Sequence, residues 1–293
     1  MRLEGRGIPI VDASALARSQ PAVRARQTVG MARLVRIFAA VVAVLALLVV
    51  VFLVYAHTVM QGERPAALAA WRDESVEITS HDAGIVIEPV EGATGAGLVF
   101  IPGAKVDPYA YLYKLSGVAE ASGLTVVITK PTLNLAFFDQ RPLSTFTSLA
   151  PEVDDWYVGG HSLGGVRACQ LADGAAEASQ PIGGPSGPEP GEGVRGEPRP
   201  VGLMLFGSYC ANDLSESGLE VLSISGANDR LSTPAKIAAA APLLPAGARF
   251  DELEGVNHAD FGDYGAQPGD GESTRDDADV RDGIGAIVAG FVG

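Results

Sequence analysis

Apolar and polar positions divide the chain into three regimes. Residues 37–55 form a run of 19 residues without a charge, rich in Val, Leu and Ala. At about 1.5 Å per residue such a helix is roughly 28 Å long, close to the thickness of a hydrocarbon core. From residue 76 onward, short apolar runs of β length alternate with stretches of helical period. Strands are predicted at 76–78, 85–89, 97–101, 125–129, 156–158, 203–206, 221–224 and 249–253. Helices are predicted at 109–121, 163–172, 234–241 and 284–291, with a helical turn at 65–72 ahead of the first strand. Alternation of this kind predicts an α/β fold with a mostly parallel central sheet flanked by helices. The first two strands are separated by only a short turn, so they should pair antiparallel. The third regime, residues 173–200, is Gly, Pro, Glu and Ser with almost no large apolar residue. It cannot bury enough surface to offset its ordering entropy and is predicted to be a disordered surface insertion. A lid would need an apolar underside, which this stretch lacks.

The apolar run is flanked on its N-terminal side by Arg24, Arg26, Arg33 and Arg36, whereas the nearest Lys or Arg beyond it is Arg64. That asymmetry predicts a single-pass anchor with a cytoplasmic N-terminus and everything after His57 outside the cytoplasm. A cleaved signal peptide ending near Val54-Tyr55-Ala56 competes with it, although its apolar region would ordinarily be shorter. The flanking arginines and the length count against a buried core helix. Residues 1–30 are expected to be disordered, and Met31 is an alternative start to Met1. The expected organisation is a basic cytoplasmic segment at 1–36, a transmembrane helix at 37–55 and an α/β domain at 56–293.

Charge narrows the partners. The net charge is −14, yet residues 1–36 carry seven Arg and only two acids, Glu4 and Asp12. The remainder sets 14 basic residues against 33 acidic ones. Such a body repels a phosphate backbone, which argues against nucleic-acid partners. Four Lys against seventeen Arg, with abundant Ala and Gly, suggests a GC-rich bacterial gene. Cys169 and Cys210 fit no metal pattern; outside the cytoplasm they could pair, and a buried thiol at each is the alternative.

The chemistry centres on Gly159-Gly160-His161-Ser162-Leu163-Gly164-Gly165. In a chain with 36 Gly, the G-x-S-x-G pattern alone discriminates little. Its setting adds the information: Trp156-Tyr157-Val158 reads as a strand before it and a helix follows, as a nucleophile elbow requires. A phosphate-binding turn would call for a lysine or G-x-G-x-x-G spacing, and neither is present. Serine needs a base. Of the four histidines, His57 flanks the apolar run, His81 precedes most of the fold, and His161 lies inside the elbow with its ring expected to point away from Ser162. His258 remains, following the last predicted strand. The order Ser…Asp…His asks for an acid at the end of an intervening strand, and Asp229 meets that demand, with Asp213 as second choice. An oxyanion hole would pair the Leu163 N–H with one from the turn after residues 97–101, Ala104 first and Lys105 second. No metal or cofactor is called for.

From about Leu68 onward, the chain resembles the dienelactone-hydrolase-like branch of the α/β-hydrolase superfamily. The resemblance is carried by Phe100-Ile101-Pro102-Gly103-Ala104-Lys105-Val106 with Ala110-Tyr111, by Pro131-Thr132-Leu133-Asn134-Leu135-Ala136-Phe137, by the elbow, and by Asn257-His258-Ala259-Asp260-Phe261-Gly262-Asp263-Tyr264-Gly265. It implies a compact hydrolase with a minimal cap and the triad Ser162, Asp229 and His258. The 173–200 insertion and the anchor depart from the pattern without touching the triad. A serine at the elbow implies acyl transfer, with esters or thioesters as substrates. Three functions are compatible: an extracytoplasmic esterase or lipase-like hydrolase acting on a small-molecule or lipid-like ester, an envelope acyltransferase using a non-water acceptor, and a catalytically idle tethered binding module.

Overall fold

The computed structural model describes residues 13–177 and 198–293. It divides into two units, which meet in sequence at Tyr55 and Ala56. The first is a helix, α1 (Ala13–His57). Within it, Arg33–His57 has a mean hydropathy of 3.4 over its most apolar window, none of which is buried in the structure. Residues 13–30, expected to be disordered, are helical. Residues 1–12 lie outside the described part.

The second unit is built on eight strands: β1 (Val76–Ser80), β2 (Gly84–Pro89), β3 (Ala96–Ile101), β4 (Thr125–Thr129), β5 (Asp155–His161), β6 (Gly202–Phe206), β7 (Glu220–Gly226) and β8 (Arg249–Leu253). They form one sheet in the order β1-β2-β4-β3-β5-β6-β7-β8. The expected β1/β2 hairpin is present. The sheet is mixed, because β2 also pairs antiparallel with β4 while β4 through β8 run parallel. The chain leaves β3 toward β4 on one side and returns to β5 on the other. That reversal opens a crevice at the carboxyl ends of β3 and β5, where ligands bind in open α/β sheets.

Seven helices are described: α1, α2 (Arg64–Trp71), α3 (Leu112–Ser122), α4 (Ser144–Thr147), α5 (Leu163–Glu177), α6 (Pro234–Ala240) and α7 (Asp277–Val292). Side chains alternate across the sheet. Leu98, Phe100, Val126, Ile128, Met204 and Phe206 pack under α3 and α7. Val99, Ile101, Val127, Val158, Leu203 and Leu205 pack on the other face with Ala168 and Ala172 of α5. The helix predicted at 109–121 begins as a 3-10 turn at Pro108–Tyr111. Helix α7 starts a full two turns earlier than predicted; Asp277 and Asp279 in its first turn suit the positive end of the dipole but mask the apolar period. Between β4 and β5 there is no long crossover helix, only short turns and α4. Of the predicted insertion, residues 173–177 continue α5, and residues 178–197 lie outside the described part.

Two features tie the domain together at its edges. Residues 56–63 are stitched into the fold. The Asn134 side-chain amide donates to the Ala56 carbonyl at 3.1 Å. The Met60 N–H donates to Lys105 O at 2.7 Å, and the Asp107 N–H returns a bond to Met60 O at 2.9 Å. Cys169 on α5 and Cys210 after β6 form a disulfide, with Cα atoms 5.6 Å apart and 41 residues of separation. The sequence left this pairing open; packing of α5 beside β6 brings the two thiols together.

Lys114 is buried and ion-pairs with both Asp263 and the more exposed Asp277. Two carboxylates thus share one buried ammonium. Burial pushes the Asp263 carboxyl up to about 6, although Lys114 opposes the shift.

Replacing both cysteines with alanine should lower unfolding stability by about 4 kcal/mol on chain-entropy grounds, measurable by urea denaturation. An unchanged midpoint would contradict the bridge. An aspartate unfolds to an ordinary value of 3.8, so the raised folded value of Asp263 favours the folded state below that pH and is lost as pH rises through about 6. Asp263→Asn mimics the protonated form. Its stability relative to wild type should therefore improve, by up to about 3 kcal/mol, as pH rises from about 4 to 7. A pH-independent difference would sink the assignment.

Candidate active site

Strand β5 ends at His161, and α5 begins at Leu163. Between them Ser162 adopts φ 53°, a left-handed conformation uncommon for a residue with a side chain. Such strain persists only where its surroundings enforce it. Here the Ser162 N–H donates to Phe206 O at 3.1 Å, and Ser208 Oγ donates to the Ser162 carbonyl at 2.6 Å. The motif glycines have a spatial cause. A Cβ on Gly160 or Gly164 would overlap the Ile101 carbonyl oxygen at the end of β3. The turn can therefore press against the neighbouring strand only if both positions lack side chains.

Asp229 follows β7, and His258 follows β8. His258 Nδ1 lies 2.7 Å from Asp229 Oδ2, with both residues buried. The second oxygen, Asp229 Oδ1, accepts the N–H groups of Leu231 and Ser232, each at 2.7 Å. The carboxylate is thus fully engaged in fixing itself and the imidazole. His258 is held in turn by its own loop: Asn257 and Asp260 exchange backbone and side-chain bonds, and the Ala259 N–H donates to Asp270 Oδ2 at 2.9 Å. Asp213 is exposed and closes a local turn by accepting the Ser215 N–H. It does not approach the histidine loop.

Ser162 and His258 line one cavity of about 330 Å³, together with Leu163, Val166, Ser208, Tyr209, Leu231, Ser232 and Gln267. A larger cavity of about 610 Å³ borders Asp229 from outside, among Arg230, Asp270 and Glu272. Its walls are polar and charged and exclude both Ser162 and His258. The smaller cavity is where a carbonyl could meet a nucleophile and a base together.

Opposite the elbow runs the turn after β3. The Lys105 N–H donates to Asn134 O at 2.8 Å, so it is already committed. The Gly103 N–H donates to Tyr111 Oη at 2.9 Å. Among the described residues, the N–H groups of Ala104 and Leu163 have no protein acceptor. Both are free to receive an oxyanion.

Tyr111 and His161 were not singled out from sequence as site residues. Tyr111 Oη accepts from Gly103 and also shares a hydrogen bond with His161 Nδ1, 2.9 Å away. Burial, and secondarily His258, holds the His161 imidazole well below its ordinary 6.5, while burial pushes the Tyr111 phenol up. Both are neutral. The His161 ring lies 4.4 Å from that of His258. One phenol therefore joins the turn after β3, the elbow and the base. The signal in the sequence was slight: Tyr111 belongs to the Ala110-Tyr111 part of the resemblance, but no spacing rule marks it.

A strained serine, a buried Asp–His pair and two vacant N–H donors define a serine hydrolase. The alpha/beta hydrolase family matches residues 97–184 and 194–282. The chain belongs to that family. Similar solved structures include a thermostable esterase from Pseudomonas putida, 12% identical, with 78% of this chain and 88% of that one covered at a TM-score of 0.50. A carboxyl esterase 2 from the fungus Tuber melanosporum is also 12% identical, with 80% and 91% covered at a TM-score of 0.49. At such identity the likeness concerns the fold. A search of curated proteins found no match to the chain.

Tyr111→Phe would leave the Gly103 N–H and His161 Nδ1 unpaired in the interior. Stability should fall by about 1–3 kcal/mol. Through the loosened turn, kcat should drop about tenfold while KM changes little. Steady-state kinetics on a chromogenic ester check this; an unchanged kcat would remove Tyr111 from the site.

Proposed function

We propose that this protein is a membrane-anchored, extracytoplasmic serine hydrolase that cleaves carboxylic esters or thioesters through an acyl-enzyme. The observation that carries the reading is the 2.7 Å His258–Asp229 pair sharing a cavity with the strained Ser162. Ser162 Oγ attacks the acyl carbonyl as His258 Nε2 takes its proton. Asp229 fixes the tautomer and stabilises the imidazolium, consistent with its Oδ2 on Nδ1. The N–H groups of Ala104 and Leu163 receive the oxyanion, each donor contributing about 3 kcal/mol in the transition state. Collapse expels the alcohol or thiol, protonated by His258. A water deprotonated by the same imidazole then releases the acid and restores Ser162.

The long apolar run in α1 and the arginines before it support an anchor with the catalytic domain outside the cytoplasm. The Cys169–Cys210 bridge fits an oxidising compartment. The 257–265 segment supports placement in the dienelactone-hydrolase-like branch. Its Asn257 and Asp260 brace His258.

A fluorophosphonate probe should label the wild-type chain and leave Ser162→Ala unlabelled; equal labelling would end this reading.

A further inference from the structure

The segment that leaves the apolar run is bonded to the same loops that frame the oxyanion site. Ala56, the residue after Tyr55, is fully buried and gives its carbonyl to the Asn134 side chain. Four residues later, Met60 brackets the turn after β3 through Lys105 and Asp107. Asn134 also offers its own carbonyl to the Lys105 N–H at 2.8 Å. The oxyanion turn, the loop at 131–140 and the exit of the anchor are therefore one hydrogen-bonded cluster.

That loop carries large apolar surface into solvent. Phe137 is 40% exposed and Phe138 51% exposed, on a 3-10 turn just after Asn134. Leu133 and Leu135 beside them are half-buried. Three residues separate Asn134 from Phe137, a reach of at most about 11 Å. The Asn134–Ala56 hydrogen bond, with the short chain from Asn134 onward, thus keeps Phe137 close to the point where the apolar run ends, whatever direction the anchor takes. The headgroup region of a bilayer is the surface found at the end of a spanning helix, and aromatic side chains favour it.

We propose that the 131–140 loop docks into the bilayer surface through Phe137 and Phe138, and that the substrate is an uncharged lipid ester drawn from that bilayer. This rests on the anchored serine-hydrolase reading above. Docking puts Ala104, one residue from the Lys105–Asn134 bond, at the edge from which a lipid acyl group enters. The acidic body beyond residue 36, with 14 basic and 33 acidic residues, disfavours anionic headgroups and leaves acylglycerol-type esters as the fitting class.

The test uses the full chain in phosphatidylcholine vesicles. Its two native cysteines are bonded to each other, so Phe137→Cys can carry a single polarity-sensitive fluorophore. Phe250→Cys is the control, an aromatic 46% exposed on β8 at the far edge of the sheet. The label at 137 should shift to the blue and be quenched by nitroxide lipids, while the label at 250 should report water. Water-like emission at 137 overturns the proposal. The double variant Phe137→Ser with Phe138→Ser should lose about tenfold in kcat/KM on monooleoylglycerol in the vesicle, from lost apolar insertion. It should hydrolyse nitrophenyl acetate at the wild-type rate. Equal loss on both esters would make the two aromatics merely structural and overturn the docking role. Failure of the hydrolase reading itself would be distinguishable: wild type would then cleave neither ester, while the fluorophore depth would still read the docking.

Discussion

The close approach of the β5–α5 turn to the end of β3 is the constraint on which the site depends. Gly160 and Gly164 leave room for the Ile101 carbonyl, and no larger residue fits there. With that contact made, Ser162 is lifted into a left-handed conformation. The Leu163 N–H is freed at the start of a helix, where the first N–H groups have no internal acceptor. The same contact sets the turn at 102–105 directly against the elbow. The strained Ser162 and the unpaired Leu163 N–H are therefore consequences of one packing event.

Around that contact, polar groups are assigned with little slack. Tyr111 serves the Gly103 N–H and His161 together, and Asp229 serves two backbone donors and His258. A buried hydrogen-bonded network of this kind rigidifies a site because each broken bond leaves a desolvated partner. Among the described residues, the N–H groups of Ala104 and Leu163 stand outside this network.

The periphery follows a similar logic. The Cys169–Cys210 bridge pins both flanks of the Gly- and Pro-rich insertion, so chain on either side of it is fixed to the scaffold. Residues 56–63 are joined to the turn after β3 and to Asp263, whose carbonyl accepts the Glu63 N–H at 2.6 Å. This segment and the turn after β3 therefore share hydrogen bonds.

Much of the architecture was legible in the sequence because burial on both faces writes a parallel strand as an unbroken apolar run. Strands β3 to β7 were visible in this way, whereas the part-exposed edge strands β1 and β8 and the β1/β2 hairpin were read from β length and turn spacing. Ser162 was legible from its strand-to-helix setting, and His258 by elimination among four histidines. The start of α7 was hidden by its acids, and helix at 13–30 by the absence of an apolar face. The Asp229–His258 pair, the commitment of the Lys105 N–H to Asn134, the disulfide and the Tyr111 bonds were set by the tertiary structure. Each depends on a partner distant in sequence: Asp229 on a loop 29 residues away, Lys105 on Asn134, Cys169 on a residue across the insertion. The sequence by itself determined which groups were present and where along the chain; only folding determined which were spent on one another and which remained free to act.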